Sequence, residues 1–505
     1  MFLPSVPVSV DWKVEPNQLA PRFEAIDRQQ VVLEPLDIEQ LIPLGHPARN
    51  VWEILGRLDL SRFLGPVKAV EGHAGRNLWE PRLLIAMWVY AYTRGISSAR
   101  EIERQCAYEP GLRWLTGLKV VNHHTLSDFR VEQGQALQDL FVQVVGILSM
   151  EKLVSLERVT VDGTKVRACV NKKTFSRAHK IREHLKVARQ HIEQLQREEA
   201  EQQQRGRQAA ARQRAARQRV ERLEEALVEV ERLQAEKKWE RDKPCQASTT
   251  DPQARFMRTS DHGLAPAYNV QLTTDARHKL IVDVAVSQQP SDSFHLLPAL
   301  DRVKQQWGAF PPQAVADGDY TKREAVVGAA DRGVDYYGSW SETSPERMAH
   351  GIHPAYHPSA FRHDQQREEM ICPEGQRLGL QQIQAGSGGL QVYVYSAERK
   401  VCQRCRKRRW CTPQNAMRNH GRSVSVRQEP PAMERYHQKM ATEKAKAIYK
   451  QRAPVAEFPH AWLKDKLKWV RLRCRGLLQA KAEATWVCLT YNLQRYFKLR
   501  QPQTA

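Results

Sequence analysis

The sequence predicts an α/β fold with a helical N-terminal domain and a long helical insertion. Residues 36–150 carry apolar residues at helical spacing. Short runs of β-branched and alternating residues, typical of strands, lie around 158–168 and 267–286. A charged stretch at 177–243, rich in Gln, Arg, Glu and Ala, separates these runs and favours helix. We therefore expect the sheet to combine segments that lie far apart in the chain.

The charge of the chain indicates an anionic partner. Its net charge is +21 and its pI is about 9.7, which favours nucleic acid or an anionic surface, although positive charge also keeps proteins in solution. The longest apolar run, Leu83–Tyr92, is about ten residues and too short to span a bilayer. No signal peptide is evident, so we expect the nine cysteines to be thiols or metal ligands rather than disulfides.

The 505 residues divide into seven segments on this pattern. Two insertions, one helical and one rich in Cys and Arg, interrupt the α/β core. The segments are an N-terminal tail (1–35), a helical domain for DNA binding or dimerisation (36–150), a first core segment (151–176), the coiled-coil insertion (177–243), a second core segment (244–337), the Cys/Arg-rich insertion (338–430), and a third core segment with the C-terminal helices (431–505).

Short helices with capped turns are predicted for the N-terminal domain. The segment Pro81–Tyr92 is apolar nearly all round and should be a buried helix. Ser98 stands where an N-cap belongs, with Glu101 three residues later, and another helix opens at His123. Such helices fit a helix-turn-helix DNA reader and an ordinary helical bundle equally well. In the first case, the residues expected to contact DNA are Ser98, Arg100, Arg104, His124 and Arg130.

The charged insertion is predicted to be a helical hairpin. Apolar residues recur in heptad registers, with Leu185 and Leu227 in one and Leu223 and Val230 in the companion. A single helix of this length would keep the flanking strands roughly 100 Å apart, so the chain should turn near Gly206 into two arms of ~40 Å. A solvated spacer and an arm that contacts a second subunit or DNA remain open alternatives.

Five segments are predicted to be strands of the core. The second and third flank the turn Asp275–His278, which suits a β-hairpin. Residues 338–430 look irregular and polar, and the last 75 residues look mostly helical. The predicted strands are 158–168, Ala267–Thr273, Leu280–Val286, Ala314–Ala316 and Val334–Tyr337.

Two aspartates directly follow apolar strand segments. Asp162 comes after Arg158–Val161, and Asp317 comes after Ala314–Ala316. If these strands are neighbours in one sheet, their ends lie ~5 Å apart and both carboxylates can face one site. Carboxylate oxygens suit Mg²⁺, and two such ions ~4 Å apart clamp the attacking and leaving oxygens of a phosphodiester. Asp319, on the same loop, remains the alternative to Asp317.

A third acid, Glu457, lies far downstream. It precedes Lys464 by seven residues, so the two share a helix face. A structural ion-pair face is the alternative to a role in chemistry. Pro454 and Pro459 complicate this helix, because an interior proline removes a hydrogen bond and kinks the chain. Three converging carboxylates in a strongly basic chain would indicate metal ions acting on nucleic-acid phosphates.

Four cysteines form a candidate zinc site. Cys372 precedes the tight cluster Cys402-x2-Cys405-x5-Cys411, and four thiolates can hold zinc tetrahedrally. The first arm supplies only one cysteine, so free thiols in a basic loop remain the alternative. The neighbouring basic residues, which fit phosphate contact, are Arg404, Arg406, Lys407, Arg408 and Arg409.

Taken in order, several motifs resemble those of bacterial insertion-sequence transposases of the DDE class. Each motif alone has limited specificity, and their shared order from about residue 38 to 498 makes the resemblance specific. Asp319 stands where the family usually has glycine, and the gap from Arg452 to Glu457 is one residue longer than the commonest form. The motifs are Gly95–Glu103, Val161–Thr164, Thr250–Met257 with Tyr268–Gln271, Ala316–Tyr320, and the set Tyr449, Arg452, Glu457 and Lys464.

The resemblance implies an RNase H-like core, with a mixed sheet of three antiparallel strands followed by parallel ones. It implies that Asp162, Asp317 and Glu457 are catalytic and hold two Mg²⁺ or Mn²⁺ ions. In this family such a site hydrolyses a phosphodiester at each element end, and the freed 3′-hydroxyl then attacks target DNA. The side chains expected to contact DNA phosphate are Lys464, Arg452, Tyr449 and Lys165.

The implied partners are double-stranded DNA, both terminal inverted repeats and target, and further copies of the chain in a homodimer or larger assembly. The expected location is the bacterial cytoplasm, at the nucleoid. Two alternatives remain open. One is a catalytically inactive DNA-binding protein derived from such a transposase, and the other is a coiled-coil scaffold protein with a basic surface.

Overall fold

A computed structural model of the protein describes residues 31, 33, 35–65, 78–202, 207–236, 244–259, 263–340, 351–364, 366–385, 391–412, 421–427 and 430–500. Nearly all of the predicted N-terminal tail and the predicted turn near Gly206 lie outside these residues. No helix within the described ranges is both long and apolar enough to cross a membrane.

Six helices make up most of the N-terminal domain where the structure describes it. The second is apolar on every side, and all residues from Leu83 to Tyr92 are buried, as predicted. The helix predicted to continue from His123 breaks at Gln133, where the backbone leaves the helical region. The helices are α1 (Pro47–Leu55), α2 (Pro81–Thr93), α3 (Ala99–Gln105), α4 (Pro110–Thr116), α5 (His123–Glu132) and α6 (Gly134–Met150).

The predicted capping box at the start of α3 does not form. Ser98 occupies the N-cap position, but its side chain makes no capping hydrogen bond. Glu101 accepts instead from Arg104, at 2.6 Å, one turn further along the helix. Because both side chains lie at the surface, this pair adds little to stability.

A six-stranded mixed sheet forms the centre of the molecule. Its long strand β5 pairs antiparallel with β1 on one edge and with β4 and β6 on the other. On its far edge β1 pairs parallel with β7, and β7 pairs parallel with β8. The strands are β1 (Arg158–Arg167), β2 (Phe175–Ser176), β3 (Ala247–Ser248), β4 (Arg255–Arg258), β5 (Leu264–Asp275), β6 (Ile281–Ser287), β7 (Gln313–Ala316) and β8 (Asp335–Tyr337), of which β2 and β3 form a separate ribbon.

This sheet confirms the predicted RNase H-like fold. The antiparallel strands β6, β5 and β1 come first, and the parallel strands β7 and β8 follow across the sheet. Helices α9 (Leu296–Trp307) and α10 (Arg323–Asp331) connect β6 to β7 and β7 to β8. Parallel strands need a crossover connection, which is usually a helix, and this explains why helices connect the strands in this half of the sheet.

The charged insertion is a pair of antiparallel helices, α7 (Ala178–Gln202) and α8 (Arg207–Ala235). Ion pairs join Arg182 to Glu231 and Arg189 to Glu224, each at 2.7 Å. From the first pair to the second, the residue number on α7 increases while the residue number on α8 decreases. The two helices therefore run antiparallel. The buried residues between the helices, with one from β3, are Ile181, Leu185, Ala188, Leu223, Ala226, Val230 and Ala247.

Where the structure describes the second insertion it contains regular strands and helices, so the prediction of an irregular segment was wrong there. The described strands form an antiparallel five-stranded sheet, in the order β13-β12-β11-β10-β9. Its strands are polar, and most of β11 is exposed, so the alternation that identifies a strand is weak here. The elements are β9 (Arg362–Asp364), β10 (Glu369–Ile371), β11 (Arg377–Ala385), β12 (Gln391–Ser396), α11 (Arg399–Arg404), α12 (Arg408–Cys411) and β13 (Ser423–Arg427).

The C-terminal segment is helical, as predicted, and its last helix lies in the core. Helix α16 packs against α2, α6 and β6. Its Glu483 is fully buried and accepts hydrogen bonds from Trp469 Nε1 and from the amides of Arg473 and Cys474. The helices are α13 (Pro431–Ala441), α14 (Glu443–Lys450), α15 (Arg452–Ala461) and α16 (Leu477–Arg500).

Asn492 on α16 joins this helix to the edge of the sheet. Its Oδ1 accepts from the amide of Ile281 at 2.9 Å, and its Nδ2 donates to the Ile281 carbonyl at 2.7 Å. Both groups are buried, so removing the amide would leave two backbone groups without partners.

We expect Asn492→Leu to loosen β6. An unpaired buried backbone group costs about 1–3 kcal/mol, so amide exchange in β6 should rise by about tenfold or more. Hydrogen–deuterium exchange measures this directly. Lys481→Leu, at an exposed position of the same helix, is the control and should leave β6 protected. Equal protection in the two variants would contradict this role of Asn492.

Candidate active site

The two aspartates predicted from the sequence lie side by side. Strand β1 pairs with β7 through Val161 and Ala316, and the next residue on each strand is an aspartate, Asp162 and Asp317. Neighbouring strands are ~4.8 Å apart, so both side chains can reach one site. Asp162 itself lies in the middle of β1, because β5 continues to pair with β1 after β7 has ended.

One arginine ties these strands to a helix far downstream. Arg158, at the start of β1, donates from Nε to Gln313 Oε1 of β7 at 2.8 Å. Its Nη1 donates to Gln451 Oε1 at 3.0 Å, and Gln451 is the N-cap residue of α15. The same side chain therefore links both aspartate-bearing strands to the helix that carries Glu457.

The shape of α15 depends on its prolines. Pro454 lies in the first turn, where a missing amide costs nothing. Pro459 is internal, and the chain widens just after it into a π-helical turn, Trp462–Lys466, that contains Lys464. Such turns are frequent at functional sites. The hydrogen bond that Pro459 removes is thus accommodated by a π-helical turn, and the helix does not end at the proline.

Two basic side chains of α15 lie against the aspartates. His460 Nε2 is 3.5 Å from Asp162 Oδ2, and Arg452 Nη2 is 3.9 Å from Asp317 Oδ1. Burial would raise the pKa of Asp162, but the hydrogen bond and charge of His460, with the Gly163 amide, lower that pKa below its ordinary value. Asp162 is therefore held as a carboxylate.

Lys464 and Tyr449 complete this face. Burial lowers the pKa of Lys464. The negative charges of Asp162 and Asp465 act in the opposite direction, so Lys464 interacts electrostatically with Asp162. Burial, with the charge of Asp317, raises the pKa of Tyr449, and its ring lies 6.0 Å from the guanidinium of Arg452.

Glu457 lies on the same helix but does not join the aspartates in a preformed metal site. It is exposed, and it precedes His460 by three residues, which puts the two on one helix face. Within the described ranges, no three His, Cys, Asp or Glu side chains are arranged so that they could hold a metal ion. The donor chemistry suits Mg²⁺, and the two aspartates follow paired residues of neighbouring strands. Glu457 would have to move towards them.

The choice between Asp317 and Asp319 rests on position. Asp317 Oδ1 accepts from the Gly318 amide at 2.7 Å, and the side chain faces Arg452. Asp319 is exposed in the short helical turn that follows, Gly318–Tyr320. The structure therefore favours Asp317 as the partner of Asp162.

Lys165 is held by a polar network rather than open to DNA. Its Nζ donates to both oxygens of Asp292 at 2.8 Å, and only 15% of its side chain is exposed. Asp292 Oδ1 also accepts from Asn269 and Gln271, and Gln271 in turn accepts from the Tyr320 hydroxyl at 2.5 Å. The predicted phosphate contact of Lys165 is therefore corrected to a structural one.

The network joins the first strand to the loop after Asp317. It lies on the side of β1 that carries Gly163 and Lys165, opposite to Asp162. A Cβ atom at Gly163 would meet Gln271 Nε2 and would lie 2.6 Å from Asp292 Oδ1. A methyl group at this position would therefore have to displace side chains of the network.

The N-terminal residues predicted to contact DNA differ in exposure. Arg100, Arg104 and His124 are exposed, and Ser98 is partly exposed. Arg130 is only 5% exposed, donates to the Ser97 carbonyl at 2.8 Å and lies over the Trp88 ring. Arg130 therefore cannot reach DNA, and its prediction as a DNA contact was wrong.

His460 and Asp292 are site residues that sequence reasoning missed. A histidine one turn after Glu457 was a signal for His460, since the two positions share a helix face. Asp292 gave no local signal, because it lies in a polar stretch between β6 and α9. Only the folded sheet brings it to Lys165.

Two family models match the chain. One, described as "Transposase DDE domain", matches residues 371–497, which include Glu457, whereas Asp162 and Asp317 lie upstream of it. The other, described as "Transposase domain (DUF772)", matches residues 36–132. No curated protein gives a significant match. Fold, motifs and matches together define a DNA transposase. The two matches support an insertion-sequence transposase of the DDE class.

We expect Gly163→Ala to disrupt the network beside the site. Overpacking of this kind costs about 1–3 kcal/mol, so the thermal midpoint should fall. Gly146→Ala is the matched control, because its added Cβ meets nothing within 4 Å on helix α6, and it should gain up to about 1 kcal/mol. Thermal unfolding of both variants tests this. Equal midpoints would contradict the close approach at Gly163.

Proposed function

We propose that this transposase cleaves DNA at the ends of its element and joins the freed 3′ ends to target DNA, using Asp162, Asp317 and Glu457. The observation that supports this is the pairing of β1 with β7, which makes Asp162 and Asp317 neighbours. The family matches support the same class of chemistry. Both steps are in-line displacements at phosphorus, so one site serves both.

The three carboxylates of Asp162, Asp317 and Glu457 are proposed to hold two Mg²⁺ or Mn²⁺ ions. When bound, such ions stabilise charge on the attacking and leaving oxygens and orient them in line. His460 and Arg452 lie against the aspartates, so their contacts would have to open for the ions to bind.

The basic side chains of α15 and its π-helical turn are proposed to hold the scissile phosphate. Arg452 presents a guanidinium, which suits bidentate contact with phosphate oxygens. Lys464 adds a point charge near Asp162. Tyr449 is half-buried against Ile448 and Val315 and stacks near Arg452, so it would orient that guanidinium.

We further propose that the enzyme acts on its DNA as a dimer or larger assembly, because two element ends must be joined in one complex. Its DNA includes the terminal inverted repeats and the target, which places it in the bacterial cytoplasm at the nucleoid. The exposed residues Arg100, Arg104 and His124, with Ser98, are proposed to contact DNA from the helical domain. The α7–α8 arm is proposed to contact DNA or a second subunit.

Asp162→Asn should abolish cleavage and leave DNA binding intact. Loss of even an indirect metal contact costs about 10–100-fold, so loss of a direct ligand should lower Mg²⁺-dependent nicking by more than about a hundredfold. The substrate is a plasmid that carries the DNA flanking the coding sequence, and the two readouts are nicked product and gel-shift affinity.

Asp319→Asn is the matched control for this experiment. It removes an equally acidic side chain two residues from Asp317, but from an exposed position away from the paired strands. Its cleavage rate should equal that of the unaltered protein. Retained Mg²⁺-dependent nicking by Asp162→Asn would contradict the proposal, and unaltered binding with no cleavage in the parent protein would favour an inactive DNA-binding descendant.

A further inference from the structure

Four cysteines from distant positions line one cavity in the β9–β13 sheet. Cys372 follows β10, Cys402 lies in α11, Cys405 follows that helix, and Cys411 ends α12. All four are free thiols. Arg422, next to β13, lines the same cavity. The fold has thus collected at one place the four cysteines that the sequence separates by up to 39 positions (411 − 372).

Backbone amides donate hydrogen bonds to two of these sulfur atoms. The amide of Gln376 donates to Cys372 Sγ at 3.2 Å, and the amide of Arg422 donates to Cys402 Sγ at 3.3 Å. A Cβ atom at Gly421 would lie 2.7 Å from Cys402 Sγ, so only glycine fits there. A neutral thiol is a weak acceptor, whereas hydrogen bonds to sulfur are a regular feature of cysteines that bind metals.

A partly buried cation adjoins the thiols. Arg422 Nε is buried and has no hydrogen-bond partner among the residues that the structure describes, and the same residue lines the cavity with Cys402 and Cys411. A guanidinium in such a place is stabilised by negative charge nearby. Thiolates at these cysteines would supply that charge.

We propose that Cys372, Cys402, Cys405 and Cys411 bind one structural Zn²⁺ as thiolates. The four thiols release four protons on binding, and the resulting centre carries a net charge of −2 that Arg422 partly balances. Four sulfur ligands in tetrahedral arrangement select zinc or iron, and zinc needs no redox partner. The four thiols line the cavity but are not yet close enough to share an ion, because no three His, Cys, Asp or Glu side chains among the described residues form a metal site. The ion would draw them together.

The zinc would stabilise a sheet that has a very small core of its own. Where the structure describes this sheet, its buried apolar residues are six in number, which is few for five strands. The ion would also fix the segment between Cys405 and Cys411. Side chains exposed in or just before that segment are Arg404, Arg406, Lys407 and Arg409, so zinc would hold a basic surface in one conformation.

The zinc content of the full-length protein tests this proposal. The chain is expressed in zinc-supplemented medium and purified without chelators, and zinc and iron are measured by mass spectrometry. We expect about one zinc ion per chain, since four thiolates complete a structural site. Zinc well below one per chain, or iron in its place, would overturn the proposal.

Variants assign the zinc to this cavity. Cys405→Ser should lose the ion, whereas Cys169→Ser, which alters a partly buried cysteine outside the cavity, should keep it. Equal zinc in both variants would place the ion elsewhere and refute the site.

Two further measurements do not depend on whether a variant folds. The unaltered chain loaded with Co²⁺ should show thiolate-to-cobalt charge-transfer absorption, and a spectrum without it would exclude thiolate ligands. A chelator should speed hydrogen–deuterium exchange in β10–β13 and leave β1 and β5 unchanged. Unchanged exchange in β10–β13 would rule out a structural role for the ion.

Discussion

The site depends on the register between β1 and β7. Side chains alternate along a strand, so a shift of one residue in either strand would turn its aspartate to the opposite face of the sheet. Both faces of these strands are packed, with Val159, Val161, Ala314 and Ala316 buried on one and Thr160 and Val315 buried on the other, so a shifted strand would have to repack on both sides. Arg158 adds a polar anchor, because its guanidinium bonds Gln313 on β7. Apolar burial and one side-chain hydrogen bond therefore place two acids that are 155 positions apart (317 − 162).

Both insertions are compatible with the pairing of β1 and β7, because contacts join the chain segments before and after each insertion. The α7–α8 arm lies between β2 and β3 in the chain. These two strands pair with each other, two residues from each, and so join the segments before and after the arm. The second insertion follows β8, and α13 brings the chain back. There Lys439 Nζ donates to Asp335 Oδ1 at 2.5 Å and to the Tyr336 carbonyl at 2.6 Å, and Tyr436 donates to the Gly338 carbonyl. These contacts hold together the chain segments that flank each insertion.

Sequence patterns predicted the central sheet well because its strands are apolar. The hairpin of β5 and β6, the strand before Asp317 and the buried helix α2 were all found from periodicity or β-branched runs, and the motifs supplied the order of the strands. The β9–β13 sheet was missed, since its strands are short and their outer faces polar. Arg130 was misjudged for a related reason: an arginine on a short helix looks exposed until Trp88 and Ser97 are known to surround it.

Within the site, the acids were easier to predict than their neighbours. Asp162 and Asp317 follow apolar runs, and that local signal was sufficient to predict that the two residues are neighbours in the sheet. The links from Lys165 to Asp292 and from His460 to Asp162 join residues 127 and 298 positions apart (292 − 165 and 460 − 162), which no local pattern can show. Asn269, Gln271 and Tyr320 likewise look like ordinary polar residues in the sequence. Their shared network exists only where β1, β5 and the loop after β7 meet.

The most direct test of the central claim, that three distant carboxylates share divalent ions, is iron-mediated cleavage of the polypeptide. Fe²⁺ replaces Mg²⁺ in the purified protein, peroxide and ascorbate generate hydroxyl radicals at the bound ion, and the cut positions are mapped. Shared ions should give cuts near 162, 317 and 457 that excess Mg²⁺ suppresses. Cuts confined to one of these segments, or cuts that Mg²⁺ does not suppress, would contradict the claim.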